Sequence, residues 1–450
     1  MNFIHWFFWG GIMTLKYLGE IGKVLGVSVE EAEVEGFVCD SKQVKKGSLF
    51  FALRGKKFDG HKFLSEVALK GGVAAVVDND YKGGTFGLKL IRVPDVVEAL
   101  QKLAQVAHAK RKGIVIAITG SIGKTTTKEF LASLLETKFK VSKTPGNANS
   151  QVGLPLFVLN NKEEYEVLVI EMGMSQVGEM AKLVEIVPPD IALLTKIGRA
   201  HVGYFSDGQE GVVREKSVIF SHPKTKVGVI NAHALQFKRL QELFLPKKIT
   251  FGFGFSADVV LKKGWFIEDK GQETRQFELP FDEDHFAENF AAAATVAREM
   301  GIEWEDIFRK ARFLKGFQLR FEKIEKNGVT FINDCYNASP EAALAAIKSL
   351  PFPSMGGKTV AILGELEGQG VYSEESHKEV AELAATRVDH AFLLGKECLP
   401  MLGIFKQAGK TVEFFSDLEV LKNVVFDVLK PGDVVLIKGA NYTKLWQLLS

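Results

Sequence analysis

Cysteine is scarce. Only three occur in 450 residues, Cys39, Cys335 and Cys398, far apart and without a C-x-x-C pair. A disulfide framework or a structural zinc site needs paired, closer spacing, so neither is expected, and a reduced cytosolic compartment fits best. An excess of one charge is also missing, because the formal net charge is only +2. Gripping a nucleic-acid backbone takes clustered lysine and arginine, so nucleic acid is not an expected partner. No tandem repeat or low-complexity tract interrupts the chain. The composition, 46% hydrophobic and 25% charged, is that of a globular protein.

Long hydrophobic runs are absent as well. The most apolar stretch, "MNFIHWFFWGGIM" at the N-terminus, falls short of the roughly 20 residues that a spanning helix requires. It has neither a cationic start nor a small-residue cleavage site, so it does not read as a signal peptide. Two readings stay open: a membrane-surface contact, or a functional start at Met13 with residues 1–12 as an extension. We take the second, and expect no membrane partner.

What is present is a recurrent alternation of strand and helix. A chain of 450 residues is too long for one ordinary core, and two or three domains follow. In residues 1–112 the short apolar runs "GSLFFAL", "GGVAAVV" and "LKLIRV" lie between glycine turns, and "VEALQKLAQVAHAK" reads as a helix. Residues 113–314 carry the buried-type strands "IVIAIT", "EVLVIEM", "DIALLTKI" and "KVGVIN" and the alanine-rich helix "ENFAAAATVAREM". Unbroken apolar strands separated by amphipathic segments indicate a parallel sheet covered on both faces. Residues 315–450 repeat the scheme with "KTVAILGEL", "HAFLLG" and "DVVLIKGA", and Ser339 before Pro340 marks the N-cap of a helix. The expected fold is α/β, in three domains.

The chemistry starts at "AITGSIGKTTTKEF". Glycine lets the backbone N–H groups of Gly120, Ser121, Ile122 and Gly123 converge on an anion, and the following helix adds its positive end. Lys124 would neutralise nucleotide phosphates, and the Thr125 hydroxyl, next to Thr126, would hold Mg²⁺. The usual loop is G-x₄-G-K-[ST], but Ile118 stands at the first glycine, so this loop is a shorter G-x-x-G-K-T. Glu171 ends the strand "EVLVIE" and His201 follows "DIALLTKI". A lone Glu or His is more often structural than a ligand. Two of them at carboxyl ends of parallel strands, beside a phosphate loop, reverse that balance. Glu171 is a hard oxygen donor suited to magnesium; His201 is a less typical one.

The stretches "TGSIGKTTTK", "TPGNANSQVGLPLFVLN", "IEMGMSQVGEMAKLVEIVPPDIALLTKIG" and "AHVGYF" resemble the Mur ligase family, the ATP-dependent enzymes that build the peptidoglycan precursor. The resemblance runs from about residue 35 onward. It implies a UDP-precursor-binding N-terminal domain, a central P-loop ATPase domain and a Rossmann-like C-terminal domain. "CDSKQVKKGSLFFALRGKKFDGHKF" is similar to the front of the members that add the third residue or the final dipeptide. "NDCYNASP" is similar to the dipeptide-adding member, which joins D-Ala-D-Ala to UDP-N-acetylmuramoyl-tripeptide through an acyl phosphate. An adder of the third amino acid, a folate polyglutamate synthase and an inactive precursor-binding homologue remain the alternatives.

By that resemblance ATP and two Mg²⁺ ions are the cofactors, with Thr125, Glu171 and His201 toward the metal. Lys216 in "VVREKSVIF" matches a lysine that CO₂ converts to a metal-holding carbamate. Asn289 and Arg320 match residues near adenine and phosphate, Asp334 one that meets the ribose, and Ser41 and Asn149 the UDP-substrate side. A monomer is implied. Departures from the family pattern are Lys196 in place of asparagine, Phe286 in place of an adenine-side asparagine, and "GELEGQG" (364–370) in place of G-D-M-x-E-L-G. Ala440 and Asn441 stand where serine and arginine are typical, while His377 keeps its expected distance.

Overall fold

The computed structural model describes residues 15–449 apart from 56, 57, 255, 263 and 355. The apolar N-terminal stretch, and with it the reading of Met13 as a start, lies outside them. No helix among the described residues is long and apolar enough to cross a membrane. The chain divides into two compact units.

The first unit comprises the residues up to Gly113 together with Thr144–Glu166 and Lys182–Pro188. Its sheet runs β1 (Gly36–Val38), β2 (Ser48–Phe51), β3 (Ala74–Asp78) and β4 (Lys89–Val93) in that order, all parallel. Leu49 lies opposite Ala74, and Ala75 opposite Leu90. The three longer strands are those read from the apolar runs. β1 is only three residues long and carries no such run. Every residue of β2 is buried, as expected for a parallel strand covered on both faces. The helix Val96–Ala109 starts at Asp95, whose side chain accepts the Glu98 N–H at 2.9 Å, and buries Leu100, Leu103 and Ala104. The helix Gly153–Asn160 ends on β1: Asn160 accepts the Phe37 N–H at 3.0 Å and donates to its carbonyl at 2.8 Å.

The second unit holds two sheets. The first contains β5 (Ile114–Thr119), β6 (Val141–Lys143), β7 (Val167–Glu171), β8 (Ile191–Leu194), β9 (Val227–Asn231), β10 (Lys247–Phe253), β11 (Val259–Lys262), β12 (Phe266–Asp269) and β13 (Gln272–Gln276). Their spatial order is β13-β12-β11-β10-β9-β8-β5-β7-β6. Only β11, β12 and β13 pair antiparallel. The helix Lys124–Leu135 packs against the helix Asp284–Glu299, where buried Ala287, Ala291 and Ala294 at helical spacing allow close approach. Phe130 fills the remaining space with its ring 5.8 Å from Phe281 and 6.3 Å from Phe286. A fully buried side chain of this kind stabilises by roughly 1.5–3 kcal/mol.

The last sheet contains β14 (Glu322–Lys326), β15 (Val329–Asn333), β16 (Thr359–Gly364), β17 (His390–Leu394), β18 (Thr411–Phe415) and β19 (Val434–Lys438), ordered β14-β15-β19-β16-β17-β18. All neighbours are parallel except β14 and β15. The Ser339 side chain accepts the Ala342 N–H at 3.3 Å, so the helix Pro340–Lys348 begins where the sequence places its cap.

Candidate active site

β5 and β7 are neighbours in the sheet, with Ile118 opposite Glu171. Their carboxyl ends therefore deliver the phosphate loop and an acidic side chain to one place. Gly123 has φ +83 and caps the helix Lys124–Leu135. A Cβ there would lie 2.1 Å from Asn289 Oδ1. At Gly120, with φ +150, a Cβ would lie 1.9 Å from Thr195 Oγ1. Backbone conformation and space thus both require glycine at the two positions.

Residues after β8 hold the loop in shape, a role the sequence reading missed. Thr195 Oγ1 donates to the Ile122 carbonyl at 2.6 Å, and the Ser121 N–H donates to the Lys196 carbonyl at 2.7 Å. Ser121 Oγ reaches the Gly198 carbonyl at 3.0 Å. Thr126 is buried at the start of the helix. Threonine at the end of an apolar strand carries no distinctive pattern, so only the fold exposes this function.

Lys124 Nζ donates to the Gly120 carbonyl at 2.9 Å. Burial holds its ammonium below the usual lysine range; Glu171 opposes that shift and Arg320 adds to it. The Thr125 hydroxyl donates to Glu171 Oε2 at 2.7 Å and accepts from Arg320 Nη2 at 2.8 Å. The Arg320 guanidinium carbon lies over the Tyr336 ring, 3.9 Å from its centroid. Asn289 Oδ1 lies 3.4 Å from Thr127 Oγ1, on the same helix as Thr125. Gly120–Thr126, Glu171, Asn289 and Arg320 are therefore brought together.

Lys216 lies on the helix Gln209–Ser217 and is 1% exposed. Burial, reinforced by the Lys124 charge, pushes its amine well below the usual lysine range. Its neighbour Glu215 accepts the N–H groups of Gly178 at 3.0 Å and Met180 at 2.8 Å, and so pins the turn that follows β7. His201 takes φ +66, and its buried Nδ1 has no hydrogen-bond partner. Burial, then Lys216 and Lys124, lower its pKa to about 3, leaving a neutral imidazole.

Asp334 joins the group through Arg320's neighbour, since its Oδ1 accepts the Phe321 N–H at 3.1 Å. Its Oδ2 pairs with the buried Lys438 ammonium at 2.8 Å. Ser41 and Asn149 belong to the first unit. Ser41 Oγ donates to Glu66 Oε2 at 3.1 Å, and the Asn149 N–H donates to the Asn147 carbonyl at 2.7 Å within a turn.

Among the described residues, no group of three or more His, Cys, Asp or Glu side chains could hold a metal ion. The donors present are one buried carboxylate (Glu171), the Thr125 hydroxyl and the partnerless imidazole nitrogen of His201. That sparse, oxygen-led set fits magnesium, which binds through one or two carboxylates and takes its other ligands from substrate phosphates and water.

The departures from the family pattern have physical counterparts. Gly368 has φ +66, and a Cβ there would lie 3.1 Å from His201 Cα, so the usual glutamate would be strained by the backbone and crowded against the histidine. Lys196 pairs with Glu288 at 3.6 Å, and Phe286 is buried in the aromatic cluster around Phe130. His377 accepts the Leu366 N–H at 3.1 Å and so fixes the segment after β16.

Comparison with known proteins finds relatives along nearly the whole chain. Residues 33–108 match the Mur ligase family catalytic domain, 118–297 the Mur ligase middle domain, and 319–441 the Mur ligase glutamate ligase domain. The UDP-N-acetylmuramoyl-tripeptide–D-alanyl-D-alanine ligase of Bacillus subtilis is 33% identical over 97% of each chain. The enzyme of that name from Treponema pallidum is 32% identical over 92% of this chain and 93% of its own. The crystal structure of the MurF ligase from Thermotoga maritima in complex with ADP superposes with a TM-score of 0.76, at 31% identity over 92% of this chain and 96% of that one. With its three-domain α/β architecture, the chain belongs to the Mur ligase family.

Proposed function

We propose that the protein joins D-Ala-D-Ala to UDP-N-acetylmuramoyl-tripeptide at the expense of ATP, giving the pentapeptide precursor of peptidoglycan, in the cytoplasm and as a monomer. The observation that carries this reading is the convergence of Lys124, Thr125, Glu171 and Arg320 at the ends of β5 and β7. The near-full-length relatives bearing that activity in their names support it.

The obstacle is electrostatic: an anionic carboxylate must meet an anionic triphosphate. Lys124 and Arg320 supply positive charge to the transferring phosphoryl group, and the loop N–H groups from Gly120 to Gly123 orient it. Magnesium, held by Thr125, Glu171 and His201 with nucleotide oxygens, would add Lewis-acid screening of the same charge. The tripeptide carboxylate takes the γ-phosphoryl group from ATP, and ADP leaves. The dipeptide amine then attacks the acyl carbon, loses a proton and displaces inorganic phosphate.

Burial shifts the Lys216 amine toward its neutral form, the form that reacts with CO₂. Its nitrogen bonds the carbon and releases one proton, and the anionic carbamate gains from the nearby Lys124 charge. Asn289 and Asp334 would serve the adenosine end, Ser41 and Asn149 the uridine-bearing substrate. We further propose chain divisions at 112/113 and 314/315.

Phosphate release with purified protein tests the reading. It should require ATP, the UDP-tripeptide and D-Ala-D-Ala together. Turnover with a UDP-dipeptide and a single amino acid instead would make the protein a third-residue adder, and no turnover with any acceptor would overturn enzymatic activity.

A further inference from the structure

Arg199 stands two residues before His201 and takes no part in the phosphate grip. Its N–H and its Nε both donate to Glu341 Oε1, at 2.9 Å and 3.0 Å, and its Nη2 pairs with Glu379. Its carbonyl accepts from Gln369 Nε2 at 3.2 Å, and buried Gln369 is fixed in turn by Ser376 Oγ at 3.0 Å. Two residues past His201, the Gly203 N–H donates to the Gly368 carbonyl at 2.9 Å. Gly203 comes so close to Gly370 that a Cβ would lie 2.4 Å from the Gly370 nitrogen. The turn after β8 is thus gripped before and after His201 by the elements that follow β15 and β16.

His201 lies between those grips in a left-handed conformation that a non-glycine residue adopts only when its surroundings impose it. Its buried Nδ1 has no protein partner. A planar guanidinium, with donors in a fixed fork, is suited to joining two carboxylates on separate helices.

We propose that Arg199 is the positioning residue for His201. By tying the turn after β8 to the helices Pro340–Lys348 and Ser373–Ala385, it holds the left-handed backbone of His201, and with it the imidazole, in place. The proposal rests on the reading of that site given under the proposed function.

Removing Arg199 alone would leave Glu341 half-paired, and its Oε2 is already buried without a hydrogen-bond partner. The informative variant is therefore Arg199→Met with Glu341→Gln, made in the full chain. Three quantities are measured: kcat for phosphate release, the dissociation constant for ADP, and hydrogen exchange of the backbone from 199 to 205. The double variant should bind ADP within about twofold of the parent while kcat falls on the order of tenfold to a hundredfold, the loss that misplacing a functional group causes. Exchange across 199–205 should accelerate, and Arg199→Lys should recover part of kcat. Arg214→Met, which breaks the pair between Arg214 on the neighbouring helix and Asp207 just before that helix, should change none of these. Unchanged kcat, or equal losses of kcat and ADP affinity, would overturn the proposal. If the parent itself fails to turn over the proposed substrates, the functional reading falls, while the exchange experiment still decides the role of Arg199: unchanged exchange refutes it.

Discussion

The Thr125 hydroxyl donates a hydrogen bond to Glu171 Oε2, 2.7 Å away. The two residues are 46 positions apart in the chain, and they meet because β5 and β7 lie side by side. A buried hydroxyl donating to a carboxylate is a charge-assisted bond, worth about 1.5–3 kcal/mol when made. Thr125→Val should lower stability by that order in urea unfolding, and should raise the magnesium concentration needed for half-maximal phosphate release. Thr125→Ser should restore both. An unchanged magnesium requirement in the valine variant would remove Thr125 from the metal.

Arg320 supplies the second contact to that hydroxyl, with its guanidinium carbon over the Tyr336 ring. A lysine could carry the charge but could neither stack as a plane nor reach with the same fork. Arg320→Lys should therefore lose kcat on the order of 10²-fold, the scale seen when one oriented donor is lost from a transition state. Steady-state kinetics at saturating ATP decides the matter, and near-parental kcat would assign Arg320 a structural role.

Gly123→Ala should abolish ADP binding measured by calorimetry. The substitution meets both a left-handed backbone and the Asn289 amide at 2.1 Å. Gly409 provides the control, because it has φ +68 and open space around its Cβ position. Gly409→Ala bears only the backbone penalty, about 1–2 kcal/mol, and should bind ADP normally.

Lys216→Met keeps the buried methylenes and removes the amine. It should fold and bind ADP yet lose nearly all turnover, whereas CO₂-depleted buffer should slow the parent and bicarbonate should restore it. Carbon-13 NMR with labelled bicarbonate would show a carbamate resonance in the parent that is missing from the variant. Full activity in the methionine variant would take Lys216 out of the reaction.

His377 gives a pH dependence of defined sign. Nε2 accepts the Leu366 N–H at 3.1 Å and Nδ1 faces the Ser373 carbonyl at 2.7 Å, an arrangement that uses the neutral ring. Burial lowers its pKa below 6.5, with the Ser373 carbonyl opposing the shift. The unfolded chain thus binds more protons below pH 6.5. The stabilisation is complete above that pH and is lost as pH falls through the lowered value. The urea midpoint of the parent should drop between pH 7.5 and about 5. His377→Gln, which cannot titrate, should drop less; equal slopes would refute the assignment.

The features legible in the sequence are those made by neighbours along the chain. The phosphate loop, its flanking strand and helix, the Ser339 cap and the long apolar strands all depend on local spacing. β12 and β13 went unseen because "FIED" and "QETRQ" have too little apolar character to read as strands, and β1 because three residues establish no period. Thr195 and the Lys196 carbonyl shape the loop only because β8 lies beside β5. The crowding that a side chain at Gly368 would meet comes from His201, far away in sequence. Adjacency in space, unlike periodicity, leaves no mark on a single chain.

Asn160 answers both polar groups of Phe37 from a stretch that the ribosome makes only after β5 and β6. The first unit is therefore interrupted in sequence, and no single cut releases it whole. A fragment ending at Gly113 would leave the outer strand of its sheet with an unsatisfied peptide group, an invitation to pair with other copies. Producing that unit alone would call for splicing residues 144–166 and 182–188 back onto it.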